Sequence, residues 1–377
     1  MWRHSQKRSQ AHDTRMARSR STSSIPFFPA PGSRSWLTPL RPCQNDRAWW
    51  IKMNRTAPST PGSDTMLAAL RQKILEVLAD LPPTIRADLV ALLGRPGYVL
   101  HADAPCRAGV LALEVHAAVS GQPPGRTALL TAAAVELQME AAYLFDEVAD
   151  DPPNGRRCED LALAIALLTA GGTAAVDAAA DCRDPSASLR RFCTAYGEAC
   201  AGQFLDAMLQ RRGAASLEEA LEATCLKSGG LGGFIAGFAA RIAGADEEGV
   251  ALFERFGSST FTFGQLLDDM RDACAQGELS DLAQHKATLP VVFYSQEGGS
   301  PVGLDGMLSQ DIHETYESSG APLYVAIVAQ VYMSRARRDL SLLARRAYAV
   351  GGLGRFLKSV ELGAEEILSA ARVRLVA

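Results

Sequence analysis

Two short stretches of the chain concentrate carboxylates at a spacing that suits a metal ion. In the first, Asp146 and Asp150 lie four residues apart with Glu147 adjoining, at the end of the apolar run that begins at Arg126. On a helix such residues share one face. Like charges at that spacing repel by roughly 0.2–0.5 kcal/mol per pair, and anions at a helix C-terminus oppose the macrodipole by roughly 0.3–1 kcal/mol each. A bound cation reverses both penalties. In the second stretch, Asp268 and Asp272 again share a face and Asp269 adjoins. Phe261, Phe263, Leu266 and Leu267 make the preceding turns apolar, which points these carboxylates toward an interior. Magnesium prefers oxygen ligands, takes few protein carboxylates and keeps water and substrate phosphate in its shell. One acidic helix end alone is ordinarily a solvated face. Two such patterns in one chain make a seat for a diphosphate bridged by several magnesium ions.

The elements that must position these residues read as helices. Met66–Leu81, Arg126–Asp150, Leu189–Arg211, Ser216–Ala243 and Pro322–Ala344 place apolar residues three and four apart, with little alternation of period two. Breaks fall at Pro82-Pro83, between Gly121 and Gly125, from Pro152 to Gly155, at Gly244 and from Gly298 to Gly303. About a dozen helices are expected in one all-α domain over residues 66–377, a large bundle around a central cavity. The abundant alanines permit close helix packing. Leu161–Ala180, the richest apolar stretch, reads as a buried core helix.

Residues 1–65 are a different kind of polypeptide, rich in Arg, Ser and Pro and holding all four tryptophans. They carry eleven Lys or Arg against Asp13, Asp46 and Asp64, so the remaining chain is strongly acidic although the whole is only −4. A nucleic-acid surface is therefore not indicated for the folded part. Disorder is expected in this basic tail, as a transit-like segment or as a mis-assigned start with Met53 or Met66 as the true one. The protein is expected in the cytoplasm, or in a plastid or other organelle if the tail is a transit peptide. None of the eight cysteines forms a CxxC pair, and reduced, mostly buried thiols are expected. No continuous charge-free apolar run reaches the length of a membrane span.

Four motifs in order resemble the trans-isoprenyl diphosphate synthase (polyprenyl synthetase) family over most of Met66–Ala377. Asp146-Glu-Val-Ala-Asp150 is similar to its first aspartate-rich motif, and Gly264-Gln-Leu-Leu-Asp-Asp-Met-Arg-Asp272 to its second. Lys227-Ser-Gly229 resembles the family's Lys-Thr-Gly helix break. The stretch from Asp281 through Lys286 to Thr288-Leu-Pro290 resembles its lysine-containing segment. The resemblance implies the isoprenoid synthase fold and a homodimer. It also implies magnesium on Asp146, Asp150 and Asp268, supported by Glu147, Asp269 and Asp272. Lys227 and Lys286 would hold the diphosphate, and Gln265 would face the developing cation.

The chain departs from the family where an isopentenyl diphosphate acceptor would bind. The expected Gly-Lys-Arg is Asp103-Ala-Pro-Cys-Arg-Ala108, which keeps only Arg107, and the histidine seven residues before Asp146 is Met139. Arg156-Arg157 resembles the arginine pair after the first motif, one residue late. An anion of two or more charges finds little compensation on that side. The expected activity is thus ionisation of an allylic prenyl diphosphate, with the cation cyclised or quenched without isopentenyl diphosphate. The alternatives are prenyl transfer, to isopentenyl diphosphate or to another acceptor, and a non-catalytic subunit of a heteromeric synthase. Ala141 and Ala142, one turn before Asp146, together with Phe263 are expected on the pocket wall. Bulky aromatics at the two alanines would shorten the pocket, so a chain of C15 or longer is expected.

Overall fold

The computed structural model describes residues 63–370 apart from 105, 151–156, 274–279 and 298–308. All of them fall within a unit spanning Cys43–Ala377. Thirteen α-helices and one π-helical turn make up the described residues, and no strand is found among them. In chain order they are α1 (Ser63–Leu78), α2 (Pro83–Leu93), α3 (Arg107–Ser120), α4 (Arg126–Asp150), α5 (Arg157–Ala179) and α6 (Pro185–Arg212). There follow α7 (Leu217–Thr224), the π turn (Cys225–Gly229), α8 (Gly230–Ile242), α9 (Glu247–Ala273), α10 (Leu289–Gln296), α11 (Ser309–Ser318), α12 (Ala321–Arg345) and α13 (Gly351–Ala370). The fold is the all-α type expected. Most of the basic tail lies outside the described residues, α1 starting at Ser63.

Helix ends follow local chemistry. Asp184 caps α6 by accepting from the Ala187 amide, with Pro185 in the first turn. Ser216 and Glu219 form a reciprocal capping box on α7. Gly121 and Gly213 end α3 and α6 in the left-handed conformation that glycine adopts without a Cβ penalty.

Two helices are buried nearly all round and form the centre. Every residue of α4 from Leu130 to Ala141 is buried, as is most of α9 from Phe256 to Met270. A helix sequestered on every side belongs inside the bundle. Around α4 pack α1, α3, α5 and α8, and around α9 pack α8, α12 and the π turn. Since α8 touches both, it joins the two central helices, and each of these carries one acidic cluster in its last turns.

Close approach needs glycine at two crossings. On α6, a Cβ at Gly202 would overlap the backbone of Leu226 and Lys227 in the π turn. Between α8 and α9, Gly232 and Gly257 each face the other's carbonyl oxygen, which leaves no room for a side chain. The π turn splits the helix expected over Ser216–Ala243 and widens the backbone around Lys227.

The loop between α2 and α3 is tied to the centre through buried polar groups. Arg71 donates to the carbonyls of Val99 (3.0 Å) and Ala104 (2.8 Å). Glu140 accepts from the Val99 amide (3.0 Å), and Glu136 accepts from the Gly109 amide (2.5 Å). Burial pushes the Glu136 carboxyl up to about 8, with the Glu140 charge adding to the rise and the Gly109 bond opposing it.

Two expectations need correction. α5 is not a buried core helix: Leu161, Ile165 and Val176 are exposed along one face. Only 44% of its most apolar stretch is buried, against 78% for α4, although both are long and apolar enough to pass a membrane-span test by length and composition. The contrast arises because α5 flanks α4, with one face packed and the other open. Nor are the described thiols mostly buried. Cys106 is, but Cys158, Cys193 and Cys200 are exposed on α5 and α6.

Two outcomes follow from this packing. Gly202→Ala is expected to destabilise the fold by about 1–3 kcal/mol, read by denaturant unfolding, because the added methyl meets rigid backbone and not a movable side chain. For Glu136, the folded carboxyl keeps its proton above the ordinary value of 4.5, so the fold loses stability as pH rises from there toward about 8. Glu136→Gln removes that loss. Its melting temperature relative to the parent should therefore rise between pH 5 and pH 8, and a constant difference would contradict the assignment.

Candidate active site

One cavity of about 280 Å³ gathers the residues that the sequence singled out. Its lining includes Asp146 and Glu147 from α4, Asp268, Asp269 and Asp272 from α9, Lys227 from the π turn and Lys286 from the segment before α10. Remote helices thus bring both acidic clusters to a single space. The rest of the wall is mostly apolar or small: Ala142, Tyr143, Phe145, Tyr196, Ala199, Ala220, Ala223, Leu231 and Phe261. Of the residues expected on that wall, only Ala142 is there. Ala141 and Phe263 are buried in the hydrophobic core, because helical rotation turns them away from the cavity. Arg156 and the side chains of Asp150 and Arg157 lie outside the described residues.

Each acidic cluster is held by its own cation. Lys227 Nζ lies 3.1 Å from both oxygens of Asp146 and 3.3 Å from Asp206. Gln203 Nε2 also donates to Asp146 (2.7 Å). Arg271 bridges Asp268 (2.6 Å) and Asp272 (2.7 Å). Lys286 lies 3.5 Å from Asp281. Glu147 accepts from the Tyr98 hydroxyl at 2.8 Å, which links the α2–α3 loop to the first cluster.

Gln203, Asp206 and Asp281 were missed as site residues. Gly202-Gln203 with Asp206 one turn on was the available signal, since a glycine at a close crossing fixes which polar residues face the π turn. Gln265 is held at both ends: its oxygen accepts from Ser228 (2.8 Å) and its nitrogen donates to Asp269 (2.8 Å). Burial pushes the Asp269 carboxyl well above the usual range, with Asp281 and Asp206 adding to the rise and Gln265 opposing it.

Among the described residues no three acidic, histidine or cysteine side chains are grouped closely enough to enclose an ion alone. Seven carboxylates nonetheless line the cavity against two lysines. Hard oxygen donors in excess, offered one or two at a time, fit magnesium whose shell is completed by phosphate oxygens and water.

Arg107 is not in this cavity. It lines a neighbouring space of about 30 Å³ with Cys106, Glu136, Met139, Glu140, Tyr143 and Phe261. Burial pulls its pKa down to about 9, opposed by Tyr143 and Asp268, so it stays protonated at neutral pH. Two buried carboxyl groups, Glu136 and Glu140, thus line this smaller space with Arg107.

Parts of the chain resemble known proteins. The Polyprenyl synthetase family model matches residues 160–315, which contain Lys227, the second cluster and Lys286. A geranylgeranyl pyrophosphate synthase of Geoglobus acetivorans is 28% identical over 166 residues, 41% of this chain and 51% of that protein. A geranylgeranyl diphosphate synthase of Mycobacterium tuberculosis is 32% identical over 111 residues, 28% of this chain and 32% of that one. The chain thus spans about half or less of the length of the curated relatives it matches. Solved structures overlap further. The geranylgeranyl pyrophosphate synthetase of Geoglobus acetivorans superimposes with a TM-score of 0.66 at 21% identity, covering 85% of this chain and 98% of that one. A polyprenyl synthase of Caulobacter crescentus, complexed with calcium and isoprenyl diphosphate, gives 0.65 at 18% identity, covering 83% and 99%. These structural likenesses carry the fold, the isoprenoid synthase bundle. Beyond the fold, the chain is similar to the polyprenyl synthetase family over the matched segment, residues 160–315, which holds the motifs on the π turn, α9 and the segment before α10.

Proposed function

We propose that the protein is a magnesium-dependent enzyme that ionises an allylic prenyl diphosphate in the main cavity. One observation carries the reading: carboxylates from the ends of α4 and α9 line the same cavity, whose remaining wall is largely apolar. Asp146, Asp150 and Asp268 would hold magnesium, with Glu147, Asp269 and Asp272 in support. Bound there, the metal supplies Lewis-acid stabilisation of the departing diphosphate.

The chain's own residues do the rest. Lys227 and Lys286, which pair with Asp146, Asp206 and Asp281, would also offer their charge to the diphosphate oxygens where negative charge develops. Gln265 cannot swing freely, being held by Ser228 and Asp269. Its carbonyl dipole is therefore pre-oriented, and the remaining lone pair on that oxygen is suited to face positive charge on the allyl carbons. The apolar wall keeps water from that cation. Small side chains at Ala142, Ala199, Ala220 and Ala223 leave room for a chain of C15 or longer.

Transfer of the allyl group to isopentenyl diphosphate is the reading that the relatives' names favour, since both curated matches are geranylgeranyl diphosphate synthases. A second reading, cyclisation or quenching without isopentenyl diphosphate, is favoured by the acceptor side. Met139, Glu136 and Glu140 surround a space too small for a second diphosphate, with Arg107 the one basic side chain among its lining residues.

Incubating purified protein with magnesium and C10, C15 or C20 allylic diphosphate, with and without labelled isopentenyl diphosphate, tests both. Release of inorganic diphosphate that stops on chelation is expected in every version of the proposal. Label in a longer chain establishes elongation. Hydrocarbon or alcohol formed from the allylic substrate alone establishes the second reading, and no turnover of any substrate would remove the proposal.

A further inference from the structure

Arg271 lies inside the second acidic motif, between the two carboxylates that share a helix face. Its terminal nitrogen is 2.6 Å from Asp268 Oδ1 and 2.7 Å from Asp272 Oδ1, while Nε donates to the same Asp272 oxygen at 2.9 Å. One terminal nitrogen of the guanidinium therefore contacts both residues, and Nε adds a second donor to Asp272 that a lysine ammonium lacks. Asp268 is only 5% exposed, and a buried carboxylate without a compensating charge is strongly disfavoured. The last turn of α9 adds its own penalty to Asp268 and Asp272, through like-charge repulsion and the negative end of the helix dipole. A cation supplied by that same turn offsets both.

The first cluster is built differently. Its cation, Lys227, reaches Asp146 from another element and on a flexible stem. In the second cluster the cation is fixed in the motif itself, one residue before Asp272.

We propose that Arg271 is a resident counter-ion of the second acidic cluster: it holds Asp268 and Asp272 in place before metal arrives and competes with the metal for them. This rests on the reading that the cluster binds a divalent cation. A guanidinium at hydrogen-bond distance from Asp268 and a metal ion on the same carboxylate would sit within a few ångströms of each other. Two such cations repel by about 1 kcal/mol even at the dielectric constant of water, and by more in a partly buried site. Metal binding therefore requires Arg271 to release Asp268, and the metal-free protein is stabilised at the expense of metal affinity.

The test uses the full chain, stripped of metal and titrated with Mn²⁺ while free Mn²⁺ is followed by electron paramagnetic resonance. Thermal unfolding is recorded with and without the ion. Arg271→Gln is expected to bind Mn²⁺ about five-fold more tightly or better. Its metal-free melting temperature should fall by several degrees, and saturating Mn²⁺ should close most of that gap. Arg271→Lys keeps the charge but loses the Nε contact with Asp272, so its affinity should fall between the two. It also serves if the glutamine variant does not fold. Equal or weaker Mn²⁺ binding in either variant overturns the proposal while leaving the reading of the metal site intact. Absence of Mn²⁺ binding in the parent protein would remove both.

Discussion

Like charge confined in a low-dielectric cavity is the constraint on which the rest of this molecule depends. Carboxylates from α4, α6, α9 and the segment before α10 share one space walled largely by apolar side chains. Their mutual repulsion and desolvation are tolerable only if cations are supplied. The chain supplies its own through Lys227, Arg271 and Lys286. In the proposed reaction, magnesium would share that role and leave the lysines for the departing diphosphate. Charge balance, and not any single contact, ties the architecture to the proposed chemistry.

The scaffold serves this balance by rigidity. Both central helices are surrounded by packed neighbours, and α8 touches both, meeting α9 across glycine contacts that leave no slack. Such crossings fix the distance between elements more tightly than a seam of flexible side chains would. The π turn then places Lys227 beside Asp146 and Asp206, which lie far from it in sequence. Site residues are thus carried on helices whose own positions are over-determined.

Much of this was legible in the residues because helical periodicity and like-charge spacing are local signals. The bounds of α4 were readable to the residue, since Arg126 opens and Asp150 closes one uninterrupted apolar pattern. What escaped notice depends on three-dimensional neighbours. Asp206 looks like an ordinary polar residue of a mixed helix until Gly202 brings that helix onto the π turn. Ala141 and Ala142 are indistinguishable by type, and only the rotation of α4 decides which one meets the cavity. By composition α5 reads as core, because composition reports apolar content and not whether a further layer exists to cover it. Arg107 was assigned by motif to a diphosphate, yet Glu136 and Glu140 share its surroundings. Proximity of that kind cannot be read from a single stretch of sequence.

The central claim is that Asp146 and Asp268 act on one shared cluster of metal and diphosphate. It is tested most directly by calorimetric titration of magnesium with inorganic diphosphate into the parent protein, Asp146→Asn, Asp268→Asn and the double variant. A shared cluster predicts that either single change abolishes most of the binding and that the second adds little, the non-additivity expected of residues that act as a unit. Losses that add independently, or binding that survives in either single variant, would contradict the account.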